Sequence, residues 1–343
     1  MFTRILVALD GSGCAAHALP VAARLARASR GSVILVRVVS TATEFWPSLH
    51  PAPQTTLAQT AIDADLAEAE EYLSALTKAP DLDGLPTDTV VLRGPTVPTI
   101  LSVARSYRAE VIVLCSHGST GMKRWSIGGV AENVARHSSV PVLILREGGP
   151  LPSGSHPDGA RPLRALVALD GSARAEAALE PAASLIAALA APAPGELRLA
   201  RVVKPVAAGR EGKHLEERDD GEHVLQQARG YLRATVNQLQ EGLVAPAVVN
   251  LNLTFTWSVA VDTEVAEALI RLAGSGEDAG GAGVPGGCDV IAIATHGRSG
   301  LARLALGSIT ERVLHTTGLP LLVVQPPDML PQVSQPMTAH YLA

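Results

Sequence analysis

Aromatic residues are scarce in this 343-residue chain: three Trp, four Tyr and three Phe make up 3% of it. Proteins that stack single-stranded nucleic acid need aromatic platforms, so that class is disfavoured at the outset. Positive charge is not in excess either. Lys and Arg number 28 against 33 Asp and Glu, a formal net charge of −5, where a binder of phosphate backbones would carry a surplus of cations. The three cysteines, Cys14, Cys115 and Cys288, are widely scattered with no CxxC pair, which indicates neither a zinc knuckle nor a disulfide framework. No apolar run nears the ~20 residues of a membrane helix. The opening stretch MFTRILVALDGS enters a strand-like run directly, without the apolar centre of a signal peptide. These absences give the expectation of a soluble, cytoplasmic chain with no nucleic-acid or membrane partner. Apolar residues are plentiful at 47%, and the length suits two domains better than one core.

The chain repeats itself. ILVALDGS (Ile5–Ser12) returns as ALVALDGS (Ala165–Ser172), matching at seven of eight letters and offset by 160 residues from Asp10 to Asp170. SVILVRVV (Ser32–Val39) returns as ELRLARVV (Glu196–Val203). CSHGSTGMKRWSIGGVAENVA (Cys115–Ala135) returns as ATHGRSGLARLALGSITERVL (Ala294–Leu314), at an offset of 179. The second copy is therefore 19 residues longer between these points, and much of the excess is the Gly-rich insertion Gly274–Gly287. Both copies close alike, with VPVLIL and LPLLVV. Arg146–Pro162, rich in Gly, Pro and Ser, has the composition of a linker. The expected domains are residues 1–147 and 163–326, with a linker at 148–162 and a tail at 327–343.

Within each copy, short β-branched apolar runs alternate with Ala/Leu/Glu-rich stretches of helical spacing such as Asp63–Ala79. Continuous apolar runs suit strands buried on both faces of a parallel sheet. The alternation predicts a doubly wound α/β fold with about five strands and four helices per copy. In such sheets ligands bind beyond the carboxyl ends of strands, where the strand order reverses.

Chemistry is therefore sought just past the strands. Asp10 and Asp170 end the first strand of each copy, where an Asp can accept from ribose hydroxyls or assist Mg²⁺; the plainer alternative is a helix N-cap. Gly118 and Gly297 follow the fourth strand. After nine more residues come Gly128 and Gly129, or Gly307 and Ser308, at what reads as a helix start. Helix-start N–H groups unobstructed by side chains bind phosphate, and Ser308 adds a hydroxyl. The alternative there is simple capping, with SITE as a capping box. The loop is neither a P-loop nor a GxGxxG turn.

The tandem LDGS…HG-x₉-G-S pattern with its closing PLLVV strand resembles the universal stress protein family in its two-domain form. The resemblance implies two tandem, doubly wound, five-stranded parallel-sheet domains, similar to adenine-nucleotide α-hydrolases and packed as a pseudo-dimer. It also implies an ATP site built on Gly-x₂-Gly-x₉-Gly-Ser/Thr, with Mg²⁺ accompanying the nucleotide. In the second copy, Ala294, Gly297, Gly307, Ser308 and Ile309 match that signature, with Ala294 in place of the first glycine. In the first copy, Cys115, Gly118, Gly128 and Gly129 match, with cysteine for the first glycine and glycine for the hydroxyl. Asp10 and Asp170 match the acidic residue near the ribose, and Val38 and Val202 the backbone contact to adenine. The second site ranks first. The implied role is a stress-response protein that binds ATP or another adenine nucleotide, as a homo-oligomer or an intramolecular pseudo-dimer. A ligand-free interaction scaffold and a slow ATP-hydrolysing enzyme are the alternatives.

His117 and His296 read better as turn or ligand contacts than as catalytic bases, since Ser116 and Thr295, adjacent on a strand, would point away. Lys123, Arg124, Arg298 and Arg303 lie in the glycine-flanked loops, where they can neutralise phosphate or simply face water. Trp46 and Trp125 read as surface packing, and His214–His223 as an exposed helix start.

Overall fold

The computed structural model describes residues 1–40, 56–116, 128–152, 161–205, 214–275, 286–297 and 306–329. The first half runs β1 (Arg4–Leu9), α1 (Gly13–Ala16), α2 (Ala18–Ser29), β2 (Ser32–Val39), α3 (Thr56–Leu76), β3 (Thr87–Arg93), α4 (Thr96–Ser106), β4 (Val111–Cys115), α5 (Gly129–His137) and β5 (Val142–Leu145). The second half repeats the order: β6 (Arg164–Ala168), α6 (Ala173–Glu176), α7 (Leu179–Ala190), β7 (Gly195–Val203), α8 (His214–Gln240), β8 (Leu253–Val261), α9 (Val265–Ser275), β9 (Val290–Ala294), α10 (Ser308–Thr316) and β10 (Leu321–Val324).

All ten strands form one sheet in the order β3-β2-β1-β4-β5-β10-β9-β6-β7-β8. Pairing within each half is parallel, while β5 and β10 meet antiparallel, with Leu143 opposite Leu322. Two five-stranded sheets thus join through their last strands, and the pseudo-dimer is one continuous sheet. Central strands β4, β5, β6, β9 and β10 are buried along their whole length. The outermost strands, β3 and β8, carry exposed positions, as strands at sheet edges do.

Alternate residues feed two cores. Ile5, Val7 and Leu9 of β1 face one side with Leu19 of α2 and Leu185 of α7, while Leu6 faces the other with Ile100 of α4 and Val134 of α5. The same alternation in β10 sends Leu322 and Val324 one way and Leu321 and Val323 the other. Each such fully buried aliphatic side chain contributes about 1.5–3 kcal/mol. Arginines stitch the halves together at two places. Arg24 donates to the carbonyls of Leu189 and Ala191 at the end of α7. Arg146 donates to Leu314 O at 2.5 Å near the end of α10. Cations at helix carboxyl ends complement the helix dipole.

Among the described residues each half holds five α-helices rather than the four expected. The extra ones, α1 and α6, have four residues each. They arise because Gly11 and Gly171 take φ of 89° and 85° after the first strand, a turn glycine adopts at little cost. Ser12 and Ser172 then cap the short helices by accepting from Ala15 N–H and Ala175 N–H. The capping alternative for Asp10 and Asp170 is thus corrected: the serine two residues later is the cap. Most of the Gly-rich insertion falls outside the described residues. Its ends join α9 to β9, at the amino ends of the second-half strands.

Candidate functional site

The strand order reverses between β1 and β4 in the first half and between β6 and β9 in the second. The register brings the sequence-predicted residues to these two points. Leu9 pairs with Arg37, so one step further sets Asp10 beside Val38. Ala168 pairs with Ala200, and two steps further set Asp170 beside Val202. Val7 opposite Val113 and Val167 opposite Ala292 likewise carry Cys115 and Ala294 to the same carboxyl edge.

The second-half crevice is tightly built around its glycines. Asp170 Oδ1 accepts from Ser172 N–H at 2.9 Å and from the Ser172 hydroxyl at 2.6 Å. Its carboxylate lies directly over Gly297: a Cβ there would stand 2.1 Å from Asp170 Oδ2. Gly307 N–H donates to Thr295 O at 2.8 Å, and a Cβ on Gly307 would meet that carbonyl oxygen at 2.9 Å. The Thr310 hydroxyl donates to Ala294 O at 2.7 Å. The start of α10 is thereby tied to the end of β9 by two hydrogen bonds. Gly307 is the N-cap of α10 and has no side-chain cap hydrogen bond. The capping-box alternative is therefore not formed: Ser308 is the first helical residue rather than the cap, and it and Ile309 are exposed. Early N–H groups of a helix have no intrahelical partner and favour an anion.

The first-half crevice has the same frame with different contents. Gly128 N–H donates to Ser116 O at 2.7 Å, and Gly128 is the uncapped N-cap of α5. Gly129 faces open space, with nothing within 4 Å of an added Cβ. Asp10 Oδ1 accepts from Ser12 N–H at 3.0 Å. A buried Cys115 sits where the second half has Ala294.

His296 is buried, with Nδ1 3.2 Å from Thr295 Oγ1. The two side chains touch because both lie past the end of β9, where strand alternation no longer applies. Gly118, His117, Lys123, Arg124, Trp125, Arg298, Arg303 and Trp46 lie outside the described residues.

Two positions escaped the sequence reading. Arg37 lies with its guanidinium over Gly11, beside Asp10, stacked 5.1 Å from the Tyr72 ring centroid and paired with Glu68 at 3.2 Å. Burial, followed by the Asp10 charge, raises the Tyr72 hydroxyl above its usual range. Arg201 stacks on Tyr231 at 5.2 Å in the same way, and Tyr231 donates to Glu176 at 2.7 Å. Burial, with the Glu176 bond second, raises Tyr231 too. The repeated Arg-Val-Val at the end of β2 and β7 was the signal for both arginines.

Comparison with known proteins agrees with this architecture. The family model described as "Universal stress protein family" matches residues 1–146 and 286–325, more than half of the chain. The universal stress protein YxiE of Bacillus subtilis is 29% identical over 149 residues, 43% of this chain and 100% of that protein. A universal stress protein of Methanocaldococcus jannaschii, MJ0531, is 31% identical over 80 residues, 23% of this chain and 47% of that one. The solved universal stress protein of Archaeoglobus fulgidus superposes with a TM-score of 0.57 at 17% identity, covering 94% of this chain and 98% of that one, and so shares its fold. The chain belongs to the universal stress protein family.

Proposed function

We propose that this chain is a stress-response regulator that binds ATP or another adenine nucleotide, chiefly in its second half, and that its role is binding rather than dedicated turnover. On this reading residues 1–147 and 163–326 are two domains, and the second keeps the better nucleotide site. One observation carries the proposal. In the second half an uncapped helix start, Gly307–Ser308, is held against the strand end, and both loop glycines are sterically enforced by Asp170 and by the Thr295 carbonyl. A backbone kept clear of side chains beside free helix N–H groups suits phosphate. In this scheme the N–H groups and hydroxyl of Ser308 hold phosphate oxygens, Asp170 accepts from the ribose, and Val202 offers its backbone to the base. Mg²⁺ would travel with the phosphates.

The first half supports a different reading for itself. Cys115 fills the place of a small residue, and Gly129 offers no hydroxyl. It serves as the structural partner that completes the sheet. The test is a melting scan of the full chain with and without Mg·ATP. Ligand at 100 times Kd adds about 2.7 kcal/mol of stability, readable as a shift of several degrees in the wild type and absent in Gly307→Val. An equal shift in both proteins would remove the loop from the site. Parallel measurement of phosphate release separates binding from turnover.

A further inference from the structure

Two cysteines stand at the first crevice. Cys14 lies on α1 and is partly buried; Cys115 ends β4 and is buried. They are 101 residues apart in sequence, yet the fold joins them. β1 pairs with β4, and α1 begins four residues after β1 ends and packs against β4. There the Cys14 side chain interacts with that of Cys115. The largely buried Arg146 guanidinium, one residue beyond β5, acts on Cys115 through its charge. The equivalent positions of the second half hold Arg174 and Ala294, and Arg174 is turned to Asp328 at 2.7 Å. The pair thus belongs to the first half.

We propose that Cys14 and Cys115 form a reversible intramolecular disulfide under hydrogen peroxide, a modification site that ties α1 to β4 at the mouth of the first crevice. Cys115 attacks first, because Arg146 places positive charge beside the sulfur on which negative charge must develop. Its sulfur takes one peroxide oxygen as the O–O bond breaks; the other oxygen leaves as water, and Cys115 becomes a sulfenic acid. Cys14 then attacks that sulfur. The S–S bond forms, the S–O bond breaks, and the oxygen leaves with the Cys14 proton as a second water. Two thiols lose two hydrogens and two electrons, and one peroxide becomes two waters. Burial first, then Cys115, Glu147 and Asp10, push the Cys14 thiol up to about 12. Cys14 is therefore the resolving thiol, held in contact with its target, and not the initiator. The proposal stands whether or not the crevice takes a nucleotide.

The experiment treats reduced full-length protein with hydrogen peroxide, unfolds it in denaturant, blocks the remaining thiols by alkylation, and reads intact mass and peptide maps. The expected result is a loss of about 2 Da, a Cys14–Cys115 cross-linked peptide that disappears with dithiothreitol, and a still-alkylatable Cys288. Cys288 serves as the internal control, because burial pushes its thiol up to about 12 and it stands just before β9, three strands away from β4 in the sheet. Cys14→Ser should abolish the link and leave Cys115 carrying about 16 or 32 Da of added oxygen. The wild-type map decides even if that variant folds poorly. No thiol loss, oxygen addition without a link, or a link through Cys288 or between chains would each overturn the proposal.

Discussion

A methyl group added at position 297 probes how the second crevice is assembled. Gly297 is not among the left-handed glycines, so its cost on substitution is contact and not backbone strain. The new Cβ of Gly297→Ala would stand 2.1 Å from Asp170 Oδ2 and 3.0 Å from Cγ. The carboxylate must swing away, and it is held by Ser172 N–H at 2.9 Å and the Ser172 hydroxyl at 2.6 Å. Hydrogen bonds to a charged group contribute about 1.5–3 kcal/mol each. Asp170 is only partly buried, so solvent replaces part of that, leaving a cost of about 1–3 kcal/mol for Gly297→Ala. In an Asp170→Ala background the obstacle is gone, and the same methyl should cost almost nothing. Urea unfolding of wild type, both single variants and the double variant therefore predicts a coupling of about 1–3 kcal/mol. Additivity within about 0.5 kcal/mol would refute the claim that the carboxylate enforces the glycine.

The remaining predictions concern other parts of the molecule. Gly129→Ser meets nothing within 4 Å, so stability should change by less than about 0.5 kcal/mol, while the first crevice gains ATP affinity on the order of 1 kcal/mol; calorimetry reads both. Gly307→Val crowds the Thr295 carbonyl and should abolish most ATP binding, whereas Gly128→Val should change it far less, a ranking that equal losses would reverse. Glu196→Gln removes the charge that pairs with buried Arg164 at 2.6 Å, and unfolding should show a loss of about 3–5 kcal/mol. Since the Cys14 thiol is pushed up to about 12, its alkylation should be negligible at pH 8 and rise only as pH approaches that value; rapid labelling at pH 8 would contradict its placement.

Much of the fold was legible because its strands are buried on both faces. Such strands spell continuous apolar runs, so SVILVRVV and RILVAL map onto β2 and β1 residue for residue. The internal repeat by itself points Asp170, Gly297 and Gly307 to one sheet edge. What stayed hidden depends on distance in space. Asp10 and Ser12 both carry capping chemistry, and only the positive φ of Gly11 decides between them. The SITE stretch has the letters of a capping box, yet the helix starts one residue earlier than such a box requires, because Gly307 is pinned to Thr295. Cys14 and Cys115 meet through the register of β1 on β4, which no local pattern encodes. The repeated Arg-Val-Val marks Arg37 in the sequence, yet only the fold brings its guanidinium over Gly11.

The central claim is that one of two similar crevices holds the nucleotide. Titration calorimetry of the purified full-length chain with Mg·ATP, after removal of any co-purified nucleotide, tests it most directly. The account predicts a stoichiometry near one that vanishes in Gly307→Val and survives in Gly128→Val. A stoichiometry near two, or no heat and no accompanying thermal shift, would contradict it.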